Sequence, residues 1–121
     1  MERLTTLHHR DVPVVVVDYS GIQDHQESLD LIWGSSARIV AEPLGSVRVL
    51  MIVEGAHFSP QVLGPLKEAA LRNKPHLKGV AVVGLAGLLR VIYLGMSKLM
   101  EMEMPAFDRR EDALDWLAGL P

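Results

Sequence analysis

The chain has 121 residues, of which 49% are hydrophobic and 22% charged, and none is a cysteine. This length suits one domain with a single core, and the composition is that of a folded globular protein rather than a disordered segment. The formal net charge of −3 argues against nucleic acid as a partner, because phosphate binding needs a basic surface, and the absence of cysteine excludes disulfides and thiolate metal sites.

The amino-terminal residues predict a β-hairpin. Residues 3–8 have the pattern of a short edge strand, and residues 12–19 (VPVVVVDY) form a second strand after a turn at residues 10–11. Pro13 cannot donate a hydrogen bond to a neighbouring strand, so it should lie at the beginning of the second strand. The amino-terminal end also lacks the apolar core of a signal peptide, and we therefore expect a cytoplasmic protein.

The next segment predicts an amphipathic helix over residues 25–41. Asp24 followed by Glu27 is a capping-box pattern that opens such a helix. Gly34 weakens the helix by about 1 kcal/mol relative to alanine, and we expect it to mark a close backbone contact. The side chains that fall on one face at helical spacing, and should cover the sheet, are Leu29, Ile32, Trp33, Ser36 and Val40.

Two buried strands form the centre of the predicted sheet, at residues 47–53 (VRVLMIV) and residues 79–84 (GVAVVG). Both runs are short, unbroken and rich in β-branched side chains, which is typical of strands covered on both faces. A helix between them makes a right-handed crossover, so the two strands should be parallel neighbours in the middle of the sheet.

The crossover helix should begin at Ser59 and Pro60, a favoured N-cap residue followed by a proline in the first helical position. Pro65 removes a backbone hydrogen bond from a helix interior. It predicts either a kink at residues 64–65 or a separate short turn before a helix over residues 65–72. The buried face of this helix should consist of Val62, Leu66, Ala69 and Ala70.

A third helix, over residues 88–100, has more apolar side chains than one helix face can hold. Residues 79–100 are long enough to cross a bilayer, but Gly84 and Gly87 interrupt the run, and Arg90 would lie near the bilayer centre at a cost of about 3 kcal/mol. We therefore predict a helix that packs on the sheet on one side and on another chain on the other, not a membrane span. The interface side chains should come from Leu88, Val91, Ile92, Leu94, Met96, Leu99 and Met100.

The carboxy-terminal part predicts a last strand and a last helix. Methionines are concentrated at residues 96–104, a composition that suits core packing, an interface or an apolar-ligand pocket. Residues 104–107 should form an edge strand, and Asp108 with Glu111 repeats the capping-box pattern before a final helix. The inner face of that helix should be Ala113, Leu114 and Leu117, with Trp116 closing one end of the core.

The element order is therefore β-β-α-β-α-β-α-β-α. This order predicts a single α/β domain over residues 1–121, with a five-stranded mixed sheet and about four helices. An antiparallel hairpin at the amino terminus should join parallel strands in the rest of the sheet.

Four stretches of the chain are VDYSGI (17–22), VRVLMIVEGAHFSPQVLGPLKEAALRN (47–73), KGVAVVGLAGLLRV (78–91) and PAFDRREDALDWLA (105–118). Together they resemble the bacterial SpoIIAA-like family, which is also described as STAS/SEC14-like. The resemblance covers nearly the whole chain, and its motifs are structural rather than catalytic. It implies a mixed sheet with helices packed largely on one side, and kinship with anti-sigma-factor antagonists.

The resemblance also implies a candidate switch at Ser59. In the antagonists that give the family its name, a serine after the central strand is phosphorylated by a partner that is both kinase and anti-sigma factor. A helix N-terminus favours an added phosphate through its free N–H groups and the helix dipole, and His57 lies in the same loop. Residues 56–60 read Ala-His-Phe-Ser-Pro where the family pattern is Asp-Ser-Ser-Gly, so Ser59 also fits a plain helix cap.

No pattern of catalytic or metal-binding residues accompanies these motifs. Glu54, His57 and Ser59 fall on one turn, a spacing that rarely brings a nucleophile, a base and an orienting group within reach, and the GxSxG pattern is missing. The histidines lack zinc-protease spacing, and Gly84-x-x-Gly87 lacks the GxGxxG spacing of a dinucleotide loop. We therefore expect no enzyme activity, cofactor or metal, and would look for an anion at the helix N-termini near Ser59 and Leu88.

Two functions from different classes remain open. The first is a non-enzymatic, cytoplasmic interaction domain of the STAS type that forms a homodimer through the helix over residues 88–100 and binds a regulatory partner protein. The second is a carrier or sensor for a small apolar ligand, which the SEC14 side of the resemblance implies. Such a ligand would lie between the same helix and the sheet or the dimer mate.

Overall fold

A computed structural model describes residues 2–121 and confirms the predicted α/β architecture and element order. Five strands lie side by side in sequence order, namely β1 (Leu4–His9), β2 (Val12–Asp18), β3 (Val47–Ile52), β4 (Leu77–Val83) and β5 (Ala106–Phe107). β1 and β2 run antiparallel, and the other neighbouring pairs run parallel. The helices are α1 (His25–Val40), α2 (Pro60–Asn73), α3 (Leu88–Met100) and α4 (Arg110–Ala118), with a 3-10 turn at Lys74–His76.

The central strands are buried on both faces of the sheet. Successive residues of a strand point to opposite faces, so Val15 and Val17 meet one layer of helices while Val14 and Val16 meet the other. α1, α2 and α3 cover the first face, and α4 covers the second, where Leu117 is fully buried. Cover on both sides explains why the central strands are nearly continuous apolar runs rather than alternating ones.

The predicted inner face of α1 is wrong in part. Leu29, Trp33 and Val40 are only partly buried, and the side chains that face inward are Ser28, Leu31, Ile32, Ser35, Ser36 and Ile39. Small serines replace large apolar residues on this face because α1 packs closely against α2. The Ser36 hydroxyl donates to Asn73 Oδ1 at 2.6 Å, so the contact between the two helices is partly polar.

Two irregularities that we expected in the helices are not found in residues 2–121. Gly34 is exposed, and a Cβ added there would meet nothing within 4 Å, so the expected close backbone contact is wrong. α2 is one helix with Pro65 inside it, which makes the alternative of a separate short turn wrong. Pro65 falls in the second turn, where it removes the bond that its nitrogen would make to Gln61.

The sequence predicted the N-cap of α1 correctly and the N-cap of α4 incorrectly. The Asp24 carboxylate accepts a hydrogen bond from the Glu27 backbone N–H at 3.1 Å, which confirms Asp24 as the cap of α1. The predicted capping box of Asp108 and Glu111 is wrong, because the N-cap residue of α4 is Arg109. The Glu111 carboxylate lies 3.4 Å from the Arg109 guanidinium instead of turning back to a cap N–H.

Ser59 occupies the N-cap position of α2, with φ −69° and ψ 161°, but its side chain makes no cap hydrogen bond. The hydroxyl oxygen is buried and has no hydrogen-bond partner among the described residues. The Val62 N–H donates to the Ser59 carbonyl oxygen at 2.9 Å, so the backbone alone closes the first turn. Ser59 therefore marks the start of α2 by its backbone conformation rather than by its side chain.

α4 is held to the sheet by polar contacts far apart in the sequence. Asp115 Oδ1 lies 2.7 Å from His9 Nε2 and 3.1 Å from the Arg10 guanidinium, at the turn between β1 and β2. The hydrogen bond with His9 lowers the pKa of the Asp115 carboxyl below its ordinary value. At the carboxy-terminal end of α4, Arg48 of β3 donates to the carbonyl oxygens of Leu117 at 2.9 Å and of Leu120, just beyond the helix, at 3.3 Å. These bonds tie the end of the helix, where carbonyl groups lack the next helical turn, to the sheet.

The two cap positions predict opposite responses to alanine. Asp24→Ala should lower the free energy of unfolding by about 1 kcal/mol, because it removes the acceptor for the Glu27 N–H. Ser59→Ala should leave it unchanged or raise it by up to about 1 kcal/mol, since the lost hydroxyl is buried without a partner. Urea unfolding of both variants measures the difference. Equal losses in the two variants would mean that Ser59 caps α2 with its side chain in solution.

Two glycines should respond in opposite directions to the same substitution. Gly34→Ala should raise the free energy of unfolding by about 0.5–1 kcal/mol, because the site is an open position within a helix. Gly84→Ala should lower it, because φ is +93° and the new Cβ would lie 2.7 Å from the Glu54 backbone nitrogen. Urea unfolding checks both variants, and a destabilised Gly34→Ala or a neutral Gly84→Ala would contradict this account.

Candidate functional site

α3 exposes a row of large apolar side chains to solvent. The helix begins after Gly87, with φ 54°, and ends before Glu101, with φ 50°. These positive φ values turn the chain sharply at both ends of the helix. The exposed fractions are 69% for Leu88, 64% for Val91, 59% for Leu94 and 38% for Leu99. We call these four residues the outer face of α3.

The opposite face of α3 points into the subunit. Met96 and Met100 are buried in the core, and Leu89, Ile92 and Tyr93 are partly buried beside them. Of the side chains proposed for an interface, Met96 and Met100 are therefore inside this subunit, and Ile92 lies between its two faces. The surface that a second chain could contact consists of the outer face of α3, and the interface itself stays a prediction.

An apolar cavity of about 110 Å³ lies between α3 and the sheet. Its wall comes from β2, β3 and β4 and from all three helices on this face, and Phe58 and Met104 also line it. The main backbone contact of α3 is with α2, so the cavity occupies space that α3 would fill if it packed directly on the strands. The sequence placed an apolar-ligand pocket between the same helix and the sheet, and a ligand in this cavity stays a prediction.

Few of the side chains that line this cavity are polar, and two of them are tyrosines. Tyr19 is buried and lies edge-on against Phe58, with ring centroids 5.3 Å apart. Burial raises the pKa of the Tyr19 hydroxyl, so Tyr19 stays neutral over the physiological range. The Tyr93 hydroxyl donates to the backbone carbonyl of Met104. Tyr19 was not predicted from the sequence as a site residue, although its place at the end of an apolar strand was a signal for it.

A second, more open hollow of about 330 Å³ lies between the loops that follow β3 and β4. His57 lines it, together with Gly84 and Leu88, and the Gln23 side-chain amide donates to the Gly55 carbonyl oxygen at 3.0 Å on its rim. Ser59 does not line this hollow. The two candidate switch residues are thus in one loop but do not share a pocket.

The side chains of Glu54, His57 and Ser59 form no hydrogen-bonded relay in the described part of the chain. Glu54 and His57 are exposed, whereas the Ser59 hydroxyl oxygen is buried. Phosphorylation of Ser59 stays a prediction, and it would require this hydroxyl to turn outward first. Anion binding at the N-termini of α2 and α3 likewise stays a prediction.

Two features of other kinds of site are absent from the described residues. Within residues 2–121, no group of at least three His, Cys, Asp or Glu side chains is arranged to hold a metal ion. None of the helices in this range combines the length and the apolar character needed to cross a membrane. α3 is the most apolar helix, and at 13 residues it is shorter than a membrane-spanning helix of about 20 residues.

Comparison with known proteins agrees with this fold. The SpoIIAA-like family matches residues 14–118. An anti-sigma-factor antagonist (STAS) domain protein from Planctomyces limnophilus superimposes with a TM-score of 0.63 at 18% sequence identity, covering 96% of this chain and 98% of that one. Comparison with curated proteins gives no match. The structural likeness supports the fold, and the match over residues 14–118 shows that the chain belongs to the SpoIIAA-like family.

Proposed function

We propose that this chain is a non-enzymatic, cytoplasmic regulatory domain that acts by binding protein, and that it forms a homodimer through the outer face of α3. The observation that carries the proposal is the row of four large aliphatic side chains that this single helix exposes to water. Apolar side chains clustered in this way are typical of protein contact surfaces. Membership of the SpoIIAA-like family and the likeness to an anti-sigma-factor antagonist domain protein support a regulatory role.

The shape and charge of α3 favour a second copy of this chain as one partner. Gly95 lies beside Leu94 near the middle of the helix, and a Cβ added there would meet nothing within 4 Å, so the centre of the helix offers a shallow notch. If two copies met with their α3 helices antiparallel, Arg90 of one copy would approach the end of the other helix, where Glu101 is exposed. Such a twofold arrangement uses the same surface on both copies. A regulatory partner protein would use this surface in its place or bind elsewhere.

Substitution of the outer face tests the proposed dimer. Val91→Asp and Leu94→Asp should each raise the dissociation constant of the dimer roughly 100-fold or more, because a twofold interface loses the burial of two aliphatic side chains, worth about 1.5–3 kcal/mol each. Both positions are exposed in the single chain, so thermal unfolding of the separated subunits should change little. Analytical ultracentrifugation across micromolar concentrations measures the change.

The matched control is Leu44→Asp, which introduces the same charge at a leucine that is 73% exposed in the loop between α1 and β3. This variant should sediment as the wild-type protein does. A wild-type protein that sediments as a monomer at micromolar concentration contradicts the dimer. A Leu44→Asp variant that dissociates as readily as Val91→Asp would instead contradict the placement of the interface on the outer face of α3.

The cavity beneath α3 favours a second candidate function, in which the protein carries or senses a small apolar ligand. Its wall consists mainly of aliphatic side chains and methionines, and it includes Met51, Met96, Met100 and Met104. Methionine adapts its shape to irregular partners, so this wall can close around ligands of different outline. This candidate corresponds to the SEC14 side of the family resemblance.

Native mass spectrometry of protein purified from its own cells tests both candidates together. A carrier should show mass beyond the 13.3 kDa chain that persists in the gas phase and disappears on denaturation. A phosphate on Ser59 would instead survive denaturation and be missing from Ser59→Ala. The subunit count follows from the same spectrum. Protein with the bare chain mass in every preparation would contradict the carrier, and the dimer would be judged on the subunit count alone.

A further inference from the structure

The side chains that line the cavity beneath α3 also determine which class of ligand can bind there. We infer that it selects an uncharged apolar ligand, or part of a ligand, about the size of a benzene ring, and excludes carboxylates and ammonium groups of the same shape. This inference rests on the second candidate function, since it names the class of ligand that the proposed carrier or sensor would take.

The wall of the cavity, as described over residues 2–121, contains no charged group. No Asp, Glu, Lys, Arg or His is among the residues that line the cavity within the described chain. A charged ligand group brought into such a space loses its hydration and finds no ion to pair with. The cost of burying an unpaired charge is large enough that the group neutralises or stays in water.

Polar side chains are also few in the wall, and most of them already make a hydrogen bond within the protein. The Ser35 hydroxyl donates to the Ile32 carbonyl oxygen at 3.0 Å, and the Tyr93 hydroxyl donates to the Met104 carbonyl oxygen. The side-chain oxygen of Asn73 accepts from Ser36, which lies outside the cavity. A polar ligand that recruited these groups would compete with the internal bonds, whereas an apolar ligand leaves them intact.

The volume of the cavity limits the size of the ligand. An engineered apolar cavity of about 150 Å³ stays dry and binds benzene or xenon. The cavity beneath α3, at about 110 Å³, is somewhat smaller, but flexible methionine side chains form part of its wall. A single ring or a short branched chain therefore fits with small adjustments of those side chains.

Methyl NMR of the full chain, labelled with 13C at the methionine methyl groups, tests the inference with benzene, benzoate and benzylammonium as the three added compounds. Benzene should shift the signals of Met51, Met96, Met100 and Met104 in a saturable way, because these residues line the cavity. Met102 lies outside the cavity wall and is the internal control. Benzoate should bind at least about 100-fold more weakly, because its carboxylate would be buried without a partner.

Two variants that fill the cavity test whether benzene binds there and not elsewhere on the protein. Ala70→Leu places a larger side chain on the wall at a partly buried position, and Val82→Ile adds one methylene at a buried one. Either variant that remains folded should weaken benzene binding at least about tenfold while Met102 keeps its signal. Benzene binding that survives in both folded variants would overturn the assignment to this cavity.

The outcomes separate the inference from the function on which it rests. Benzoate that binds as tightly as benzene would overturn the selection for uncharged ligands and leave the carrier function standing. Failure of all three compounds to shift any cavity methionine would overturn the inference and the carrier function together. Binding of benzene with rejection of both benzoate and benzylammonium supports the inference.

Discussion

The structure depends on covering a narrow sheet whose central strands are apolar on both faces. α4 covers one face, and its buried Leu117 and Ala113 fit against β2, β3 and β4. The other face requires three helices, and these do not fit it equally well. α1 and α2 pack closely through serines, whereas α3 contacts mainly α2 and leaves a cavity above the strands. The inner side chains of α3 must be apolar because they complete this core. The apolar inner face of α3 therefore follows from the sheet that it covers.

The same requirement does not explain the outer face of α3. Apolar side chains stabilise a fold only where they leave water, and Leu88, Val91 and Leu94 remain mostly in water in the single chain. Polar residues at these positions would preserve the core and improve solubility. The outer face and the cavity are thus separate features of one helix, with separate side chains. A change on the outer face need not disturb a ligand in the cavity, which allows the two proposed functions to be examined independently.

The sequence predicted the strands and helices well because their patterns are local. The bounds of α3 were predicted as residues 88–100, and the parallel pairing of β3 and β4 followed from the crossover. The inner face of α1 was predicted poorly, since Ser28 and Ser35 face inward and a polar residue at a buried position does not show in the apolar pattern of the helix. The contact between His9 and Asp115 spans 106 residues, and no local pattern indicates it. The cavity is formed by side chains from many elements, so its volume could not be read from the sequence, although the methionine group suggested its composition.

The loop after β3 shows how a shared fold can carry different chemistry. In the antagonists a phosphorylated serine occupies the helix N-terminus, where the dipole and free N–H groups favour the added charge. Here Ser59 keeps the backbone position, but its hydroxyl is buried, and Phe58 beside it packs against Tyr19 at the wall of the cavity. Ser59 and Phe58 are adjacent in the chain, so this one loop contributes both a surface residue at the start of α2 and an apolar side chain of the cavity wall. The loop therefore connects the surface at the end of β3 with the apolar interior beneath α3.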